Sequence, residues 1–520
     1  MMRSRVYTRL GQSAKFASAE VCESPVMRHN RSMPHSMRLP SLIALTAALL
    51  APTLAAAQEE VRVKSLAAPD YFSSALADTG LPTDLWKDTA PDILRETLPR
   101  IGGPRGLSPA FADLARRMLS TGANAPARIG EDVEMGAQRA LALIALGEAR
   151  AVDGLLDRTP GAAGSSALSM AAAEAALITG ADDKACAVQD ALTVDRGGAY
   201  WLRLRAFCQL RAGQEDAAQL TFQLAQQQTK DADYARLMGA ALAGTAPGAA
   251  SLKNGVNYAL SRRLNLDTQS AAAVASAAPA LKPLTRPAAG DLAGVAPGAD
   301  LTAAEAAALA FLRQAKTLAA FVDAAQASAG PIAALAAAGG PLQDPVLMAR
   351  AAVAAGDLAS AQTIRARLVQ DSIPGAGGAD LALLDALITA ASGKTDNQVL
   401  GALVARGASG GARSPAQAAA LLLASLGGTL DADARGQVYG FDAGKSAAPP
   451  ARLQLLDDAG AAKRSGEAGL LALSIAADAG LAGPAPVDRA RIARALHQAG
   501  LDADARAIVV EGLLGLAYAK

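Results

Sequence analysis

The chain has 520 residues, of which 51% are hydrophobic but only 3% aromatic, so alanine supplies much of the apolar content. This composition excludes a wholly disordered chain, and the length allows about two to four domains or one elongated repeat architecture. The 49 Lys and Arg residues nearly balance the 48 Asp and Glu residues, which argues against the clustered positive charge of a nucleic-acid-binding protein.

The first 57 residues are expected to be a leader and a secretory signal peptide, with translation starting at Met37. Arg38 precedes an apolar run from Leu42 to Leu50, and Ala55-Ala56-Ala57 provides the small residues of a cleavage site. The run is too short for a membrane-spanning helix, and no Cys follows the cut to accept a lipid. We therefore expect cleavage after Ala57, a periplasmic product and no transmembrane span in the mature chain.

The next segment, residues 58–127, differs from the rest of the chain and is expected to be an N-terminal cap region. VRVKSLAAPDYF reads as extended, APDILRETLPRI as a short helix, and Ser108-Pro109 as the N-cap and first residue of another helix. Residues 128–277 and 301–520 read as N-terminal and C-terminal helical repeats. The stretch 278–300 between them reads as a linker, because its four prolines prevent a continuous helix.

Glycines recur at a spacing of about 34 residues through both repeat regions. Most segments between them are rich in Ala and Leu with charges on one face, which is typical of short amphipathic helices. Each glycine falls between two such segments, so we expect it to form the turn of a helical hairpin. The series is Gly147, Gly180, Gly213, Gly356, Gly393, Gly428, Gly466 and Gly500.

Segments such as LRAFCQLRAGQEDAAQLTFQLA and IARALHQAGLDADARAIVVEGL combine this period with an acidic or polar start to the second helix. Over roughly residues 131–245 and 343–515 the chain resembles the tetratricopeptide-like helical repeat superfamily. The regular Trp, Tyr and final Pro positions of that repeat are missing, so the resemblance concerns architecture alone. It implies an all-α fold: an α-solenoid of antiparallel helix pairs with little or no β structure.

One hexapeptide occurs twice, because Leu430–Arg435 and Leu501–Arg506 both read LDADAR. A pair of Asp residues at this spacing can bind a divalent cation, but such a site needs about six oxygen ligands and no third acid is near. We expect instead that the first Asp of each copy caps a helix and that the second lies in its first turn. No metal site is expected.

Cys186 and Cys208 are the only cysteines that follow the leader, and an even pair in an oxidising compartment predicts a disulfide. The alternative is a pair of buried thiols. The two positions lie almost symmetrically about the break at residues 196–198, so antiparallel helices would bring them to a similar height. His497, the only histidine after the leader, is expected to be a partly exposed residue near a helix end.

Aromatic residues are concentrated between residues 200 and 258 of this aromatic-poor chain. Helical spacing places Trp201 and Cys208 on one face of a helix and Tyr200, Arg203 and Phe207 on another. One interpretation is a helix buried on two sides, and the other is a recognition surface, since Tyr, Trp and Arg are frequent interface anchors. The candidate partner-binding residues are Tyr200, Arg203, Phe207, Tyr234 and Tyr258.

These features favour an exported helical-repeat scaffold or adaptor that is not an enzyme and has no catalytic residues and no cofactor. The sequence holds no P-loop and no H-E-x-x-H motif, and a single histidine gives little support for a hydrolytic triad. The expected partner is a protein or peptide of the cell envelope, with peptidoglycan or another glycan as a second candidate. The alternative functions are a carbohydrate-active cell-wall enzyme that uses paired carboxylates, or a surface protein that acts through its alanine-rich composition.

Overall fold

The computed structural model describes residues 70–157, 159, 161–285, 300–370 and 378–518, all within the unit Ala67–Lys520. The expected leader, signal peptide and cleavage site lie outside the described residues, as do most of the segment expected to be extended and most of the proline-rich linker. Over the described ranges the chain forms helices and no strand, which confirms the all-α prediction.

The described residues form 24 α-helices and a few 3₁₀ turns. The α-helices are α1 (Pro91–Ile101), α2 (Pro109–Ser120), α3 (Val133–Ala145), α4 (Ala149–Leu156), α5 (Ser166–Thr179), α6 (Asp182–Ala191), α7 (Ala199–Arg211), α8 (Glu215–Gln228), α9 (Ala232–Ala243), α10 (Gly255–Arg263), α11 (Ala271–Ser276), α12 (Leu301–Gln314), α13 (Leu318–Ala327), α14 (Ala329–Ala338), α15 (Pro345–Ala354), α16 (Leu358–Gln370), α17 (Gly378–Ser392), α18 (Asn397–Ser409), α19 (Pro415–Ala424), α20 (Ala432–Tyr439), α21 (Pro450–Ala461), α22 (Ser465–Ala479), α23 (Pro486–Gln498) and α24 (Asp502–Gly515).

Local sequence signals set many of the helix ends. Asp132, for example, accepts hydrogen bonds from the backbone N–H groups of Glu134 and Met135 at the start of α3, and Asp or Ser residues cap several other helices in the same way. Most of the glycines predicted to form turns have a left-handed backbone, as shown by Gly147, Gly180, Gly213, Gly356, Gly393 and Gly500.

The glycine prediction is wrong at two positions. Gly427, and not Gly428, has the positive φ of +90° after α19. Gly466 lies inside α22, and Lys463 has the positive φ of +55° in the preceding turn. The reason for Gly466 is packing, because a Cβ at this position would overlap the carbonyl oxygen of Leu85 and approach the indole ring of Trp86.

Consecutive helices pack against each other as hairpins through much of the chain. Consecutive pairs with extensive contact include α4 with α5, α5 with α6, α7 with α8, α15 with α16, α18 with α19, and α23 with α24. This arrangement is compatible with a helical-repeat architecture. Buried Ala and Leu side chains form a large apolar cluster, and a second, smaller cluster lies within α5 to α10.

The helices near the start of the described chain pack against those near its end. α1 contacts α3 and α22, while α2 contacts α3, α22 and α24. These two helices therefore have neighbours on both sides within the fold. The backbone N–H of Ala90 donates to Glu467 at 2.9 Å, and Arg100 forms an ion pair with Asp478 at 3.0 Å, so polar contacts accompany the apolar packing.

A buried charged network fixes α2 to α23 and α24. The Glu511 carboxylate accepts hydrogen bonds from the Ser108 hydroxyl (2.5 Å), the backbone N–H of Ala110 (2.5 Å) and the Arg489 guanidinium (2.6 Å). Arg489 also donates to two backbone carbonyls and lies over the ring of Phe111. Ser108 occupies the predicted N-cap position of α2, but its hydroxyl bonds to Glu511 and not to its own helix.

Arg139 of α3 holds the segment that leads into α1. Its guanidinium is almost fully buried and donates to the backbone carbonyls of Tyr71, Ser74, Leu119 and Thr121. Burial lowers the pKa of Arg139 to about 10, and the charge of the nearby Asp70 opposes this shift. A cation that satisfies four carbonyls is well suited to fix a segment without regular structure.

No single helix in the described ranges is long and apolar enough to cross a membrane. α13 and α14 together pass by length and composition alone, but they bend by 62° at Ser328.

Candidate functional site

The two cysteines lie at disulfide distance across the hairpin of α6 and α7. Their Cα atoms are 5.6 Å apart, in agreement with the predicted Cys186–Cys208 bond. Both side chains are partly exposed, so they are not a pair of buried thiols. The bond ties together consecutive helices that meet at the break predicted from residues 196–198.

The aromatic segment mainly builds the smaller apolar cluster. Phe207 and Tyr234 are completely buried, and Trp201 is nearly so. The Tyr234 ring lies near Phe222, with the ring centroids 5.8 Å apart, and its hydroxyl donates to the backbone carbonyl of Arg203 at 3.3 Å. A partner at the surface has no access to Phe207 or Tyr234, because both rings fill the space between helices.

Arg203 is engaged within the fold. Its guanidinium forms an ion pair with Asp231 at 3.3 Å, donates to the carbonyl of Thr229 at 3.2 Å and lies over the Tyr234 ring. Since Asp231 also caps α9, Arg203 links α7 to the start of that helix. These contacts within the fold explain why an arginine occupies position 203, and no binding partner is needed to explain it.

Tyr200 and Glu174 place polar atoms inside the cluster. The Tyr200 hydroxyl and the Glu174 carboxylate are buried beside each other, and one carboxylate oxygen accepts from the backbone N–H of Gly255 at 2.8 Å. Burial raises the pKa of both groups. Tyr258, on α10, is half-buried, and the central guanidinium carbon of Arg262 lies over its ring at 4.9 Å from the ring centroid. The five candidate residues thus share one helical cluster but do not form one exposed surface.

The exposed apolar surface of this region lies on α8, where the sequence analysis placed no candidate. We call this surface the α8 face and define it by Leu220, Gln223, Leu224 and Gln227. Leu220 and Leu224 are 61% and 43% exposed, and among the large apolar side chains of the described residues only Tyr439 is more exposed than Leu220. α8 packs mainly on α7 and touches α9, which leaves its outer side uncovered. The signal that could have found it is the absence of charge from residue 217 to residue 228.

A polar cavity opens beside the disulfide, and we call it the disulfide cavity. It has a volume of about 520 Å³ and lies between α6 and α7, where Arg196, Arg205, Gln209 and both cysteines contribute to its lining. Arg205 donates to the Arg196 carbonyl at 3.1 Å, but its Nε atom is buried without a partner. Burial and the charge of Arg196 lower the pKa of Arg205, against the effect of nearby Asp190.

His497 lies in the last turn of α23, as predicted. It is partly exposed, and its Nδ1 atom is 2.5 Å from Asp502. Among the described residues, no group of three or more His, Cys, Asp or Glu side chains is arranged to bind a metal ion.

The two LDADAR copies have different roles. Asp431 caps α20 by accepting from the N–H of Ala434 at 2.7 Å, as predicted. In the second copy Asp504 lies in the first turn of α24 as predicted, but the capping prediction is wrong, because Asp502 is already helical, makes no cap hydrogen bond and pairs with His497. Asp504 is buried in an ion pair with Arg117 of α2 at 2.7 Å, and burial raises its pKa while Arg117 opposes the shift.

Residues 407–411 read GASGG and match the G-x-S-x-G pattern that carries the nucleophile in many hydrolases, a match that the sequence analysis missed. In those enzymes the serine occupies a sharp turn between a strand and a helix. Here Ser409 is the last residue of α18, and its hydroxyl donates to the Arg406 carbonyl at 3.0 Å. This geometry is a helix end and not a nucleophile turn.

Comparisons of the chain with protein-family models, with curated proteins and with solved structures find no match. The candidate sites therefore stand on the geometry of this chain: the α8 face and the disulfide cavity.

Proposed function

We propose that this protein is an exported periplasmic scaffold that binds an apolar helical segment of a protein partner on the α8 face. The observation that carries the proposal is the exposure of Leu220 and Leu224 on a helix with an uncovered outer side. Leucines four residues apart lie on the same side of a helix and form one strip. A contiguous apolar strip with polar side chains at its edges can serve as an interaction surface.

The chemistry of the strip favours a peptide or protein segment over a glycan. Leucine side chains offer no hydrogen bonds to sugar hydroxyls, whereas an amphipathic helix can lay apolar residues along them. Gln223 and Gln227 can bond to backbone or amide groups at the edge of such a contact. Because residues 217–228 carry no charge, the partner strip should also be uncharged along its centre.

We further propose that the helix pairs follow one another as an α-solenoid of the tetratricopeptide type. The support is the succession of hairpins such as α5–α6 and α7–α8, together with left-handed glycines such as Gly180 and Gly213 within them. Solenoids present extended surfaces to partners, which suits a scaffold. Because the regular Trp and Tyr positions of the tetratricopeptide repeat are missing, the repeat pattern does not indicate a partner. The proposed partner is therefore inferred from the α8 face alone.

Export is proposed from the signal-peptide pattern before Ala57 and from the Cys186–Cys208 pair, since disulfides persist in oxidising compartments. Sequencing the N-terminus of protein recovered from the envelope fraction tests it. The expected first residue is Gln58. Recovery from the cytosol alone, or an N-terminus before Met37, contradicts the proposal.

The docking proposal is tested in two steps on the full chain. A photo-crosslinking residue at position 220, compared with one at position 455, first identifies what lies against the α8 face in cells. Leu455 is the matched position, because it is 44% exposed on α21. Binding of the purified partner is then measured for wild type, for Leu220→Gln with Leu224→Gln, and for Leu455→Gln.

The double variant should weaken binding about 30-fold, since losing burial of two partly exposed leucines costs about 2 kcal/mol. The Leu455→Gln variant should bind as wild type does, and helical content should be unchanged in all three proteins. Equal binding by the double variant, or equal crosslinking at positions 220 and 455, refutes the α8 face as the docking surface.

A further inference from the structure

We propose that a cavity between α17 and α18 binds a small zwitterion with an apolar side chain, either a free amino acid or a short peptide with both ends unblocked. We call this cavity the α17–α18 groove. Its volume of about 710 Å³ is sufficient for such a molecule. The inference does not depend on the α8 face, because the groove lies on other helices. Its lining includes Asp380, Leu383, Ala402, Ala405, Arg406 and Pro415.

The two helices place one charge of each sign on the walls of the groove. Asp380 lies in the first turn of α17, and Arg406 lies in the last turn of α18. These helices are consecutive and contact each other, and an antiparallel hairpin brings those two ends together. Both charged side chains are exposed, so a dissolved molecule can reach them.

The two opposite charges do not neutralise each other by contact. Among the described residues, neither the Asp380 carboxylate nor the Arg406 guanidinium has a hydrogen bond or an ion pair. Arg365 and Asp385 show the contrast, because two nitrogens of this guanidinium contact the two carboxylate oxygens at 2.7 and 2.8 Å. Asp380 and Arg406 are too far apart for such a contact. A gap therefore separates two accessible opposite charges.

The surroundings of Arg406 favour a carboxylate. Its guanidinium lies beside Gly378, the first residue of α17, where a Cβ would be 3.2 Å from one guanidinium nitrogen. The N-terminal end of a helix carries a partial positive charge, so a second positive charge there is unfavourable and an anion is favourable. Arginine also binds carboxylates through parallel N–H groups.

Asp380 determines that the ligand also carries a positive charge. A simple anion bound by Arg406 would be repelled by the Asp380 carboxylate in the same groove. An ammonium group on the ligand replaces this repulsion by attraction, since it can donate to the carboxylate. A zwitterion with its carboxylate toward Arg406 and its ammonium toward Asp380 therefore satisfies both walls.

The remaining accessible lining is apolar. Leu383 lies one turn after Asp380 and is partly exposed, while Ala402, Ala405 and Pro415 are exposed. None of these side chains can bond to a polar group of a ligand, so they favour an aliphatic side chain between the two charges.

Two serines also line the groove, but both hydroxyls are already used within the fold. Ser409 donates to the Arg406 carbonyl at 3.0 Å, and Ser414 accepts from the backbone N–H of Ala416 at 3.3 Å. The polar recognition of a ligand therefore falls to Asp380 and Arg406.

Calorimetric titration of the full-length protein tests the proposal with leucine and leucyl-leucine as probes. At least one of them should bind with a Kd of about 1 mM or lower, and added salt should weaken the binding. Tighter binding of leucine assigns a free amino acid, and tighter binding of leucyl-leucine assigns a peptide. The N-acetyl form of the better probe lacks the ammonium, and its amide form lacks the carboxylate. Each blocked form should bind at least about tenfold more weakly, as expected for loss of a charge-assisted hydrogen bond.

Two variants assign the ends of the ligand to the two walls. Arg406→Gln should weaken binding of the free probe about tenfold and no longer distinguish it from the amide form. Asp380→Asn should have the same effect and no longer distinguish the free probe from the N-acetyl form. The matched controls are Arg494→Gln on α23 and Asp433→Asn in the first turn of α20, which remove the same charges from other exposed positions. Both should bind as wild type does, and circular dichroism should show equal helical content in all four variants.

The proposal is overturned if wild type binds neither probe, or if a blocked form binds as tightly as the free form. It is also overturned if Arg406→Gln and Asp380→Asn bind as well as their two controls. None of these results depends on whether a protein partner occupies the α8 face, so the two proposals fail separately.

Discussion

The Glu511→Gln substitution should destabilise the contact of α2 with α23 and α24 strongly, although it hardly changes side-chain volume. Glu511 and Arg489 are only 5% and 4% exposed, and the carboxylate accepts three hydrogen bonds. The amide removes the negative charge beside a buried guanidinium, and it turns an N–H group toward the backbone N–H of Ala110 or toward Ser108 or Arg489. Breaking one side of a buried ion pair costs about 3 to 5 kcal/mol.

We take about 3 kcal/mol as the expected loss, because the amide oxygen still accepts one or two of the three hydrogen bonds. At a urea dependence of about 3 kcal/mol per molar, this loss shifts the unfolding midpoint by about 1 M. Ser108→Ala removes a single hydrogen bond and should cost about half as much. Circular dichroism in urea measures the midpoint, and hydrogen exchange of the α2 amides shows whether α2 is the helix released.

The control is Arg95→Gln, which breaks two ion pairs at the surface, one with Asp92 at 3.0 Å and one with Asp132 at 3.6 Å. Pairs of this kind contribute at most about 1 kcal/mol. If Glu511→Gln shifts the midpoint no more than Arg95→Gln does, or leaves α2 exchange unchanged, the buried network does not stabilise this contact and the reasoning is wrong.

Two further predictions concern the N-terminal helices. Replacing Cys186 and Cys208 by Ser should lower the free energy of unfolding by about 3 kcal/mol, because the disulfide no longer constrains the unfolded chain. A reductant should cause the same loss in wild type. If the reductant also destabilises the double variant, the loss does not come from this disulfide. The hydrogen bond from Lys253, at 2.6 Å, lowers the pKa of the Asp233 carboxyl in the folded protein. Ionised Asp233 therefore stabilises the fold at any pH above its ordinary pKa of about 3.9. This stabilisation is lost as the pH falls through the lower pKa of the folded state. The urea midpoints of wild type and Asp233→Asn should therefore differ at neutral pH and converge below about pH 4, and a gap that stays constant with pH would show that Asp233 acts without its charge.

Local sequence determined the helical class of this protein and many of its helix ends. Ala-rich amphipathic segments form helices wherever they fall, and an Asp or Ser at the N-cap bonds to its own backbone, as Asp431 does in α20. A glycine after such a helix adopts the left-handed backbone, as Gly180 does at +87°. The Cys186–Cys208 disulfide was also predictable from sequence, because the two helices of one hairpin bring these cysteines together.

Side-chain roles that depend on distant partners were decided by the tertiary structure alone. The hexapeptide LDADAR gives a capping Asp431 in one copy and an ion-paired Asp504 in the other, since Arg117 lies 387 positions away in sequence and only folding brings it near. The same reason applies to Ser108, whose hydroxyl meets Glu511.

Exposure followed the same rule. Aromatic content singled out Phe207 and Tyr234, but the cluster of α5 to α10 buries both and leaves Leu220 and Leu224 at the surface. Composition ranks side chains by how strongly they avoid water, and it cannot say which helix faces another. Which side of α8 is exposed depends on the helices that pack against it. Those helices are α7 and α9, and they leave the outer side of α8 uncovered.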